Sequence, residues 1–254
     1  MAELNGQVAI VTGASRGIGR ATVEELSQQG MTVMVASRSV DSVQPVAEEI
    51  ERNGGRAEAI ACDVREFAEV VSVVQRCRER FGRLDVLVNN AGMIEPIAPL
   101  AESDPSAWRA AAETNYLGVY HGLRAAIPIM IEQNGGVIIN VSSGAATSPL
   151  EGWSHYCSSK AAALALTRCA DKEYRDQGIR IVGLSPGTVA TGMQTTIKAS
   201  GINPVSQLDP SAHIPPAWAA RAIAWLCTKQ GADFAGSDFS IKTEEGKRLV
   251  GLIA

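Results

Sequence analysis

The first thirty residues of the chain most strongly limit its possible folds. A β-branched run at residues 8–11 leads directly into a turn containing Gly13, Gly17 and Gly19, and apolar residues at helical spacing follow as far as Gly30. Glycines let a backbone approach a pyrophosphate closely, and a helix N-terminus offers free N–H groups. A plain tight turn would also use glycine, but strand, turn and helix in this order favour a dinucleotide-binding unit.

The rest of the chain alternates between strand and helix patterns without a linker. Further strands are expected at 31–37, 57–61, 85–89, 137–141, 179–184 and 239–241. Helices are expected between them, at 41–54 with Asp41 as N-cap, 66–81 before Gly82, 106–133, up to about 177 before Gly178, and 216–229. We therefore expect a single α/β domain over residues 1–254. It would be a doubly wound, Rossmann-type parallel seven-stranded sheet with helices on both faces.

Composition excludes several other classes of protein. A formal net charge of −4, with no run of Lys or Arg longer than two, argues against a nucleic-acid partner. Nothing reads as a signal peptide or membrane span, so we expect no membrane partner. Five cysteines and three histidines are scattered without ligand spacing, so we expect no metal site. Unpaired cysteines of this kind are typical of a cytoplasmic protein.

A second informative feature is the pair Tyr156 and Lys160. Four residues make about one helical turn, so the phenol and the ammonium project from one face. A cation beside a tyrosine favours the phenolate and would bring its pKa towards neutrality. Ser143 follows the apolar run at 137–141, thirteen residues upstream of the tyrosine. Alone, such a pair could be an exposed helix face, but the glycine turn makes a catalytic interpretation more favourable.

The order of these motifs along nearly the whole chain resembles the short-chain dehydrogenase/reductase family. The glycine spacing is Gly-x-x-x-Gly-x-Gly, and the other family marks are Ser143, Tyr156, Lys160, Asp63, Asn89-Asn90-Ala91-Gly92, Asn115, Pro186-Gly187 and Thr191. The resemblance implies a catalytic tetrad. Tyr156 would exchange a proton with the substrate oxygen, Lys160 would lower the tyrosine pKa, Ser143 would orient the substrate, and the backbone at Asn115 would hold a relay water. Asn115 could equally be an ordinary buried polar residue.

The same resemblance implies a set of cofactor-binding residues. Asp63 would hold the adenine amino group, Lys160 the nicotinamide ribose and Thr191 the carboxamide. The full set is Gly13, Ser15, Arg16, Gly17, Ile18, Gly19, Ser37, Arg38, Asp63, Val64, Asn89, Ala91, Gly92, Tyr156, Lys160, Pro186, Gly187, Val189 and Thr191.

The residues after the second strand bear on the cofactor type. NAD-specific sites place a carboxylate there to bind the ribose hydroxyls, whereas this chain has Ser37 and Arg38, with Arg16 in the glycine turn. Guanidinium groups bind a 2′-phosphate well, so we expect NADP(H) in preference to NAD(H). Arg38 could instead pair with Asp41 on the surface, although that would not explain the missing carboxylate.

Several functions agree with these features. The nearest general likeness is to 3-oxoacyl-carrier-protein reductases. An enzyme that binds an acidic carrier protein needs basic residues near its active site, and residues 129–135 contain none. A free carbonyl compound is therefore at least as plausible a substrate. An NAD-dependent alcohol dehydrogenase and a non-catalytic dinucleotide sensor are the alternatives. The resemblance implies that residues 187–216 form a substrate lid, with Met193, Ile197, Ile202 and Leu208 lining a pocket for a mostly apolar substrate; a surface loop with a small amphipathic helix is the other interpretation. The resemblance also implies a homotetramer or homodimer.

Overall fold

The computed structural model describes residues 3–253 and contains one parallel sheet. The strands are β1 Val8–Thr12, β2 Thr32–Ser37, β3 Arg56–Ala61, β4 Val86–Asn89, β5 Gly136–Val141, β6 Ile179–Ser185 and β7 Asp238–Ser240. Within the described residues they form a seven-stranded sheet in the order β3-β2-β1-β4-β5-β6-β7, with every neighbouring pair parallel. The predicted Rossmann-type sheet is therefore confirmed.

Helices cover both faces of this sheet. They are α1 Gly17–Gln28, α2 Gln44–Arg52, α3 Phe67–Phe81, α4 Pro105–Ala112, α5 Gly118–Glu132, α6 Ser154–Tyr174, α7 Gly192–Ser200, α8 Pro216–Cys227 and α9 Glu244–Leu249. No helix within residues 3–253 is long and apolar enough to cross a bilayer.

Alternate residues of each strand enter two different cores. In β2, Val33 and Val35 pack with α1, α2 and α8 on one face, whereas Met34 packs with α3, α5 and α6 on the other. Because both faces are buried, the strands need apolar residues at nearly every position, which explains the continuous apolar runs in the sequence.

Three helix boundaries differ from the sequence expectation. Asp41 is not an N-cap, since it lies in a 3₁₀ turn at Val40–Ser42 and α2 starts two residues later, with a proline in its first turn. The helix expected over 106–133 is interrupted by a π turn at Glu113–Leu117. The helix α6 ends at Tyr174, and a 3₁₀ turn continues to Gln177.

The segment 187–216 is more ordered than a plain loop. It contains α7 and two 3₁₀ turns, Pro204–Gln207 and Pro210–Ala212. At its base Val189 forms a parallel bridge with Ile214, and Ala190 N donates to the Ile214 carbonyl at 2.9 Å. The segment stands above the carboxyl ends of β5 and β6, where open α/β sheets bind their ligands.

Candidate active site

The glycine turn is packed tightly against the end of β4. Gly13 and Gly17 have positive φ angles of 65° and 57°, which favour glycine. A Cβ on Gly13 would lie 2.8 Å from the Ala91 Cα, and one on Gly19 would lie 2.4 Å from the Gly13 carbonyl oxygen. No side chain caps α1, and its first turn has no acidic residue. Its N-terminal N–H groups therefore fit a phosphate, as a dinucleotide requires.

One cavity of about 930 Å³ joins this turn to the catalytic residues. It lies at the carboxyl ends of the central strands. It is lined by nearly all the residues predicted from the sequence, namely Gly13, Ser15, Arg16, Gly17, Ile18, Ser37, Arg38, Asp63, Val64, Ala91, Gly92, Ser143, Tyr156, Lys160, Pro186, Gly187, Val189 and Thr191. Gly19, Asn89 and Asn115 do not line it.

Asn89 does not lie where a cofactor contact would place it. Its side-chain Nδ2 donates to Asn140 Oδ1 at 2.8 Å, and its amide packs directly against Gly122 of α5. Asn90 reaches the cavity instead, and its Nδ2 donates to the carbonyls of Thr12 and Gly13 at 2.8 and 3.2 Å. Asn89 is the last residue of β4 and faces α5, whereas Asn90 comes after the strand end, where the cavity lies.

The catalytic tyrosine and lysine are both buried on α6. Lys160 Nζ lies 5.7 Å from the centre of the Tyr156 ring, and Trp153 packs edge-on against that ring at 5.6 Å. Lys160 Nζ donates to the Val141 carbonyl at 2.7 Å. The Ser143 Oγ accepts from the Ala145 N–H at 3.2 Å, which holds this side chain at the end of β5.

The electrostatics of the pair differ from the sequence expectation. Burial raises the pKa of Tyr156, with the hydrogen bond to Ser143 acting in the opposite direction. Burial also lowers the pKa of Lys160 to about 8, because a charged amine loses its hydration there. The net effect of this environment is a tyrosine pKa above its ordinary value, and burial is its largest cause. A neutral phenol can donate a proton to a carbonyl oxygen.

Asn115 acts on the cavity through a neighbour. It is fully buried inside the π turn, where its Oδ1 accepts from Met93 N at 2.9 Å and its Nδ2 donates to the Met93 carbonyl at 2.8 Å. Met93 lines the cavity beside Gly92. The Asn115 side chain thus fixes the backbone of one wall.

Two arginines, Arg16 and Arg38, line the cavity together with Asp63. Asp63 is held by Arg65, with Nη2 and Oδ2 2.6 Å apart, and this hydrogen bond lowers the pKa of the carboxyl. The positive charge of Arg38 also lowers the pKa of Asp63, so the two side chains are near enough to interact. Within residues 3–253 no carboxylate lies within 4 Å of the Arg38 guanidinium, so the surface pairing with Asp41 is not formed. The guanidinium groups of Arg16 and Arg38 are of the kind that binds a phosphate.

An apolar wall joins the cluster around the tyrosine ring: Ile94, Leu150, Trp153, Met193, Ile197 and Val205. Of the four apolar residues expected from the segment 187–216, Met193 and Ile197 line the cavity, and Ile202 and Leu208 do not. Sequence reasoning missed Lys242, which lies two residues after β7 in a stretch that carries no recognised motif. Among the described residues no group of three or more His, Cys, Asp or Glu side chains could hold a metal ion.

Comparison with known proteins identifies the family. The short chain dehydrogenase family model matches residues 7–201. A 3-oxoacyl-[acyl-carrier-protein] reductase from Synechocystis is 34% identical over 244 residues, which cover 95% of this chain and 97% of the relative. Glucose 1-dehydrogenase 2 from Bacillus subtilis is 31% identical over 239 residues, which cover 92% of this chain and 93% of the relative.

A solved structure gives the same result at the level of fold. The NAD⁺-bound xylitol dehydrogenase superposes with a TM-score of 0.87 at 25% identity, covering 94% of this chain and 98% of that one. The chain therefore belongs to the short-chain dehydrogenase/reductase family, and it is an oxidoreductase that acts on alcohol or carbonyl compounds with a nicotinamide dinucleotide.

Proposed function

We propose that the protein is an NADP(H)-dependent oxidoreductase that interconverts a ketone and a secondary alcohol. Ser143, Tyr156, Lys160 and Asn115 form its catalytic tetrad. The observation that carries the proposal is the single cavity in which Ser143, Tyr156 and Lys160 face the same space as the glycine turn. A dinucleotide on that turn would extend towards the tyrosine, as the crevice of an open α/β sheet allows.

Each member of the tetrad has a role that its environment supports. The nicotinamide, when bound, supplies or accepts the hydride. Tyr156 donates a proton to the carbonyl oxygen, for which its raised pKa keeps the proton available. Ser143 hydrogen-bonds the same oxygen and orients it. Lys160 holds a positive charge below the site, and Asn115 maintains the wall at Met93.

The preference for NADP(H) rests on the two guanidinium groups at the adenine end. The remaining cofactor contacts follow the sequence prediction, except that Asn90 replaces Asn89. The alternative is an NAD-dependent alcohol dehydrogenase, and the likeness to an NAD⁺-bound xylitol dehydrogenase favours it. A non-catalytic sensor is disfavoured, because all four catalytic residues are present.

The substrate is proposed to be a free carbonyl compound, with residues 187–216 as its lid. The lid supplies apolar side chains at Met193, Ile197 and Val205. A carrier-bound 3-oxoacyl substrate, as the name of the Synechocystis relative suggests, is the competing possibility. We also propose a homodimer or homotetramer, and a location in the cytoplasm, which the five free cysteines favour.

Replacing Tyr156 with Phe tests the proposal directly. A panel of ketones and acyl thioesters would be assayed with NADPH and NADH. Loss of a positioned proton donor costs about 10²- to 10⁴-fold, so kcat should fall by that factor while the cofactor still binds. Cofactor binding is measured by the change in NADPH fluorescence. Undiminished turnover in Tyr156→Phe would rule out the tetrad, and tight NADPH binding without turnover of any substrate by the wild type would favour a sensor.

A further inference from the structure

A lysine outside the tetrad lies at the catalytic end of the cavity. Lys242 follows β7 and lines the same space as Ser143 and Tyr156. Its Cγ is 2.8 Å from the position that a Cβ on Gly187 would occupy, and its Nζ is 3.9 Å from the corresponding position on Gly144. The stem therefore lies across Gly187, and the ammonium stands beside the residue that follows Ser143.

The backbone around this lysine is fixed. Ile241 is fully buried in the core, and the Lys242 N–H donates to the Ser240 Oγ at 3.2 Å. On the other side, the Thr243 side chain caps α9 by accepting from Gly246 N at 3.0 Å. The backbone of Lys242 is therefore held in place, whereas its exposed side chain keeps the rotamer freedom that it would lose on binding a ligand.

Lys242 forms no ion pair with any residue that the structure describes. Within residues 3–253 no carboxylate lies within 4 Å of its ammonium. The other lysine at this end, Lys160, is buried and donates to the Val141 carbonyl. Of the acids that line the cavity, Asp63 is paired with Arg65 at the adenine end, and Glu95 acts on the buried His155. Lys242 is therefore free to meet a negative charge on a substrate.

Other residues that line the same cavity bear on the rest of the ligand. Ile94, Trp153 and Ile197 present an apolar surface around the tyrosine. An anion bound at Lys242 would thus lie at one end of a molecule whose middle contacts apolar side chains. We propose that the substrate is an oxo acid or hydroxy acid, with its carboxylate on Lys242 and its reacting carbon at Tyr156. This inference rests on the proposed function and specifies its substrate class.

The test compares matched substrates and matched variants. Oxo acids with the ketone at increasing distance from the carboxylate, and the methyl ester of each, are assayed with NADPH. The wild type should prefer the acid of the best pair. Lys242→Gln should lower kcat/KM for that acid about ten- to a hundredfold, as expected when a hydrogen bond to a charged group is lost, mainly through KM. Its kcat/KM for the ester should change little.

Two further variants complete the design. Lys229→Gln removes the same charge from an exposed position outside the cavity, so it should leave the acid-to-ester ratio unchanged. Lys242→Glu should reverse the preference, so that the ester becomes the better substrate. Nicotinamide KM is measured throughout, because a lysine that contacted the cofactor would change this constant for acid and ester alike.

The outcomes separate this inference from the proposed function. Reduction of esters and acids with equal efficiency by the wild type, or an equal loss for both in Lys242→Gln, would overturn the carboxylate site while leaving a ketone reductase in place. Failure of the wild type to turn over any ketone or alcohol with either nicotinamide would instead overturn the proposed function itself.

Discussion

At the scale of single residues, Lys160 carries a charge in a position where burial makes that charge unfavourable. Its pKa of about 8 lies below the ordinary value of 10.5. Spacing along the helix was enough to predict that Tyr156 and Lys160 are neighbours. It could not predict the direction of the tyrosine pKa shift, because that direction depends on how Trp153 and the surrounding chain exclude water from the site.

Replacing Lys160 with Met should stabilise the fold and abolish activity. The change removes a buried charge but leaves the Val141 carbonyl without its donor, so we expect a net gain on the order of 1 kcal/mol at pH 7. The unfolded chain binds more protons at this lysine between pH 8 and 10.5. Wild-type stability should therefore rise across that window, and the advantage of the variant should shrink.

Urea denaturation at several pH values measures this effect. Lys172→Met, on the exposed side of the same helix, is the control and should show neither the gain nor the pH dependence. A Lys160→Met variant less stable than the wild type at pH 7 would contradict the argument.

Arg38 makes the cofactor preference testable at one position. Arg38→Asp removes a donor for a 2′-phosphate and supplies the carboxylate that NAD-specific sites use. We expect kcat/KM with NADPH to fall about tenfold or more and that with NADH to rise, since charge-assisted hydrogen bonds of this kind contribute about 1.5–3 kcal/mol. Steady-state kinetics with both cofactors measure the ratio. An unchanged NADPH preference would mean that Arg38 does not bind the phosphate.

At the scale of elements, α5 packs closely against β4 and the loop after β3 because small residues of the helix face them. A Cβ on Gly122 would lie 2.2 Å from Asn89 Oδ1, and one on Gly118 would lie 2.7 Å from Val64 Cγ2. The apolar pattern predicted that α5 is a helix. It gave no sign of the π turn before α5, in which Asn115 makes two hydrogen bonds to the backbone of Met93, 22 residues earlier in the chain.

Gly122→Ala should therefore destabilise the protein, although alanine is ordinarily the better helix former. The clash with Asn89 should cost about 1–3 kcal/mol in the free energy of unfolding, as overpacked cores do. Gly192→Ala is the matched control, because nothing lies within 4 Å of its Cβ position at the start of α7. Asn89→Ala in the same chain should relieve part of the loss, and a double-mutant cycle from urea curves measures that coupling. A stabilising Gly122→Ala would contradict this packing.

At the scale of the whole molecule, the two main cores share every central strand. Neighbouring residues of β1, β2 and β5 belong to opposite cores, so neither core can open without breaking the sheet. The alternation of strand and helix patterns predicted this arrangement well. The sequence was less informative about which side chains meet across the carboxyl edge, as Lys242 illustrates, because loops from distant parts of the chain converge there.

We accordingly expect one cooperative unfolding transition rather than two. Intrinsic fluorescence and far-ultraviolet circular dichroism should give coincident urea curves at each protein concentration, because one domain unfolds as a unit. Light scattering of the native sample would determine whether the species is the proposed dimer or tetramer. Separate transitions for the two probes would argue for independent folding units and against a single domain.

The bridge between Val189 and Ile214 has a consequence for how this enzyme could change over evolutionary time. It joins the two ends of the segment 187–216 to each other, so the residues between them form a closed loop, of which Ile197 packs on the body of the protein. Lengthening a closed loop of this kind adds little to the conformational entropy that is lost on folding. Insertions in this loop would therefore change substrate specificity without altering Tyr156 or the glycine turn.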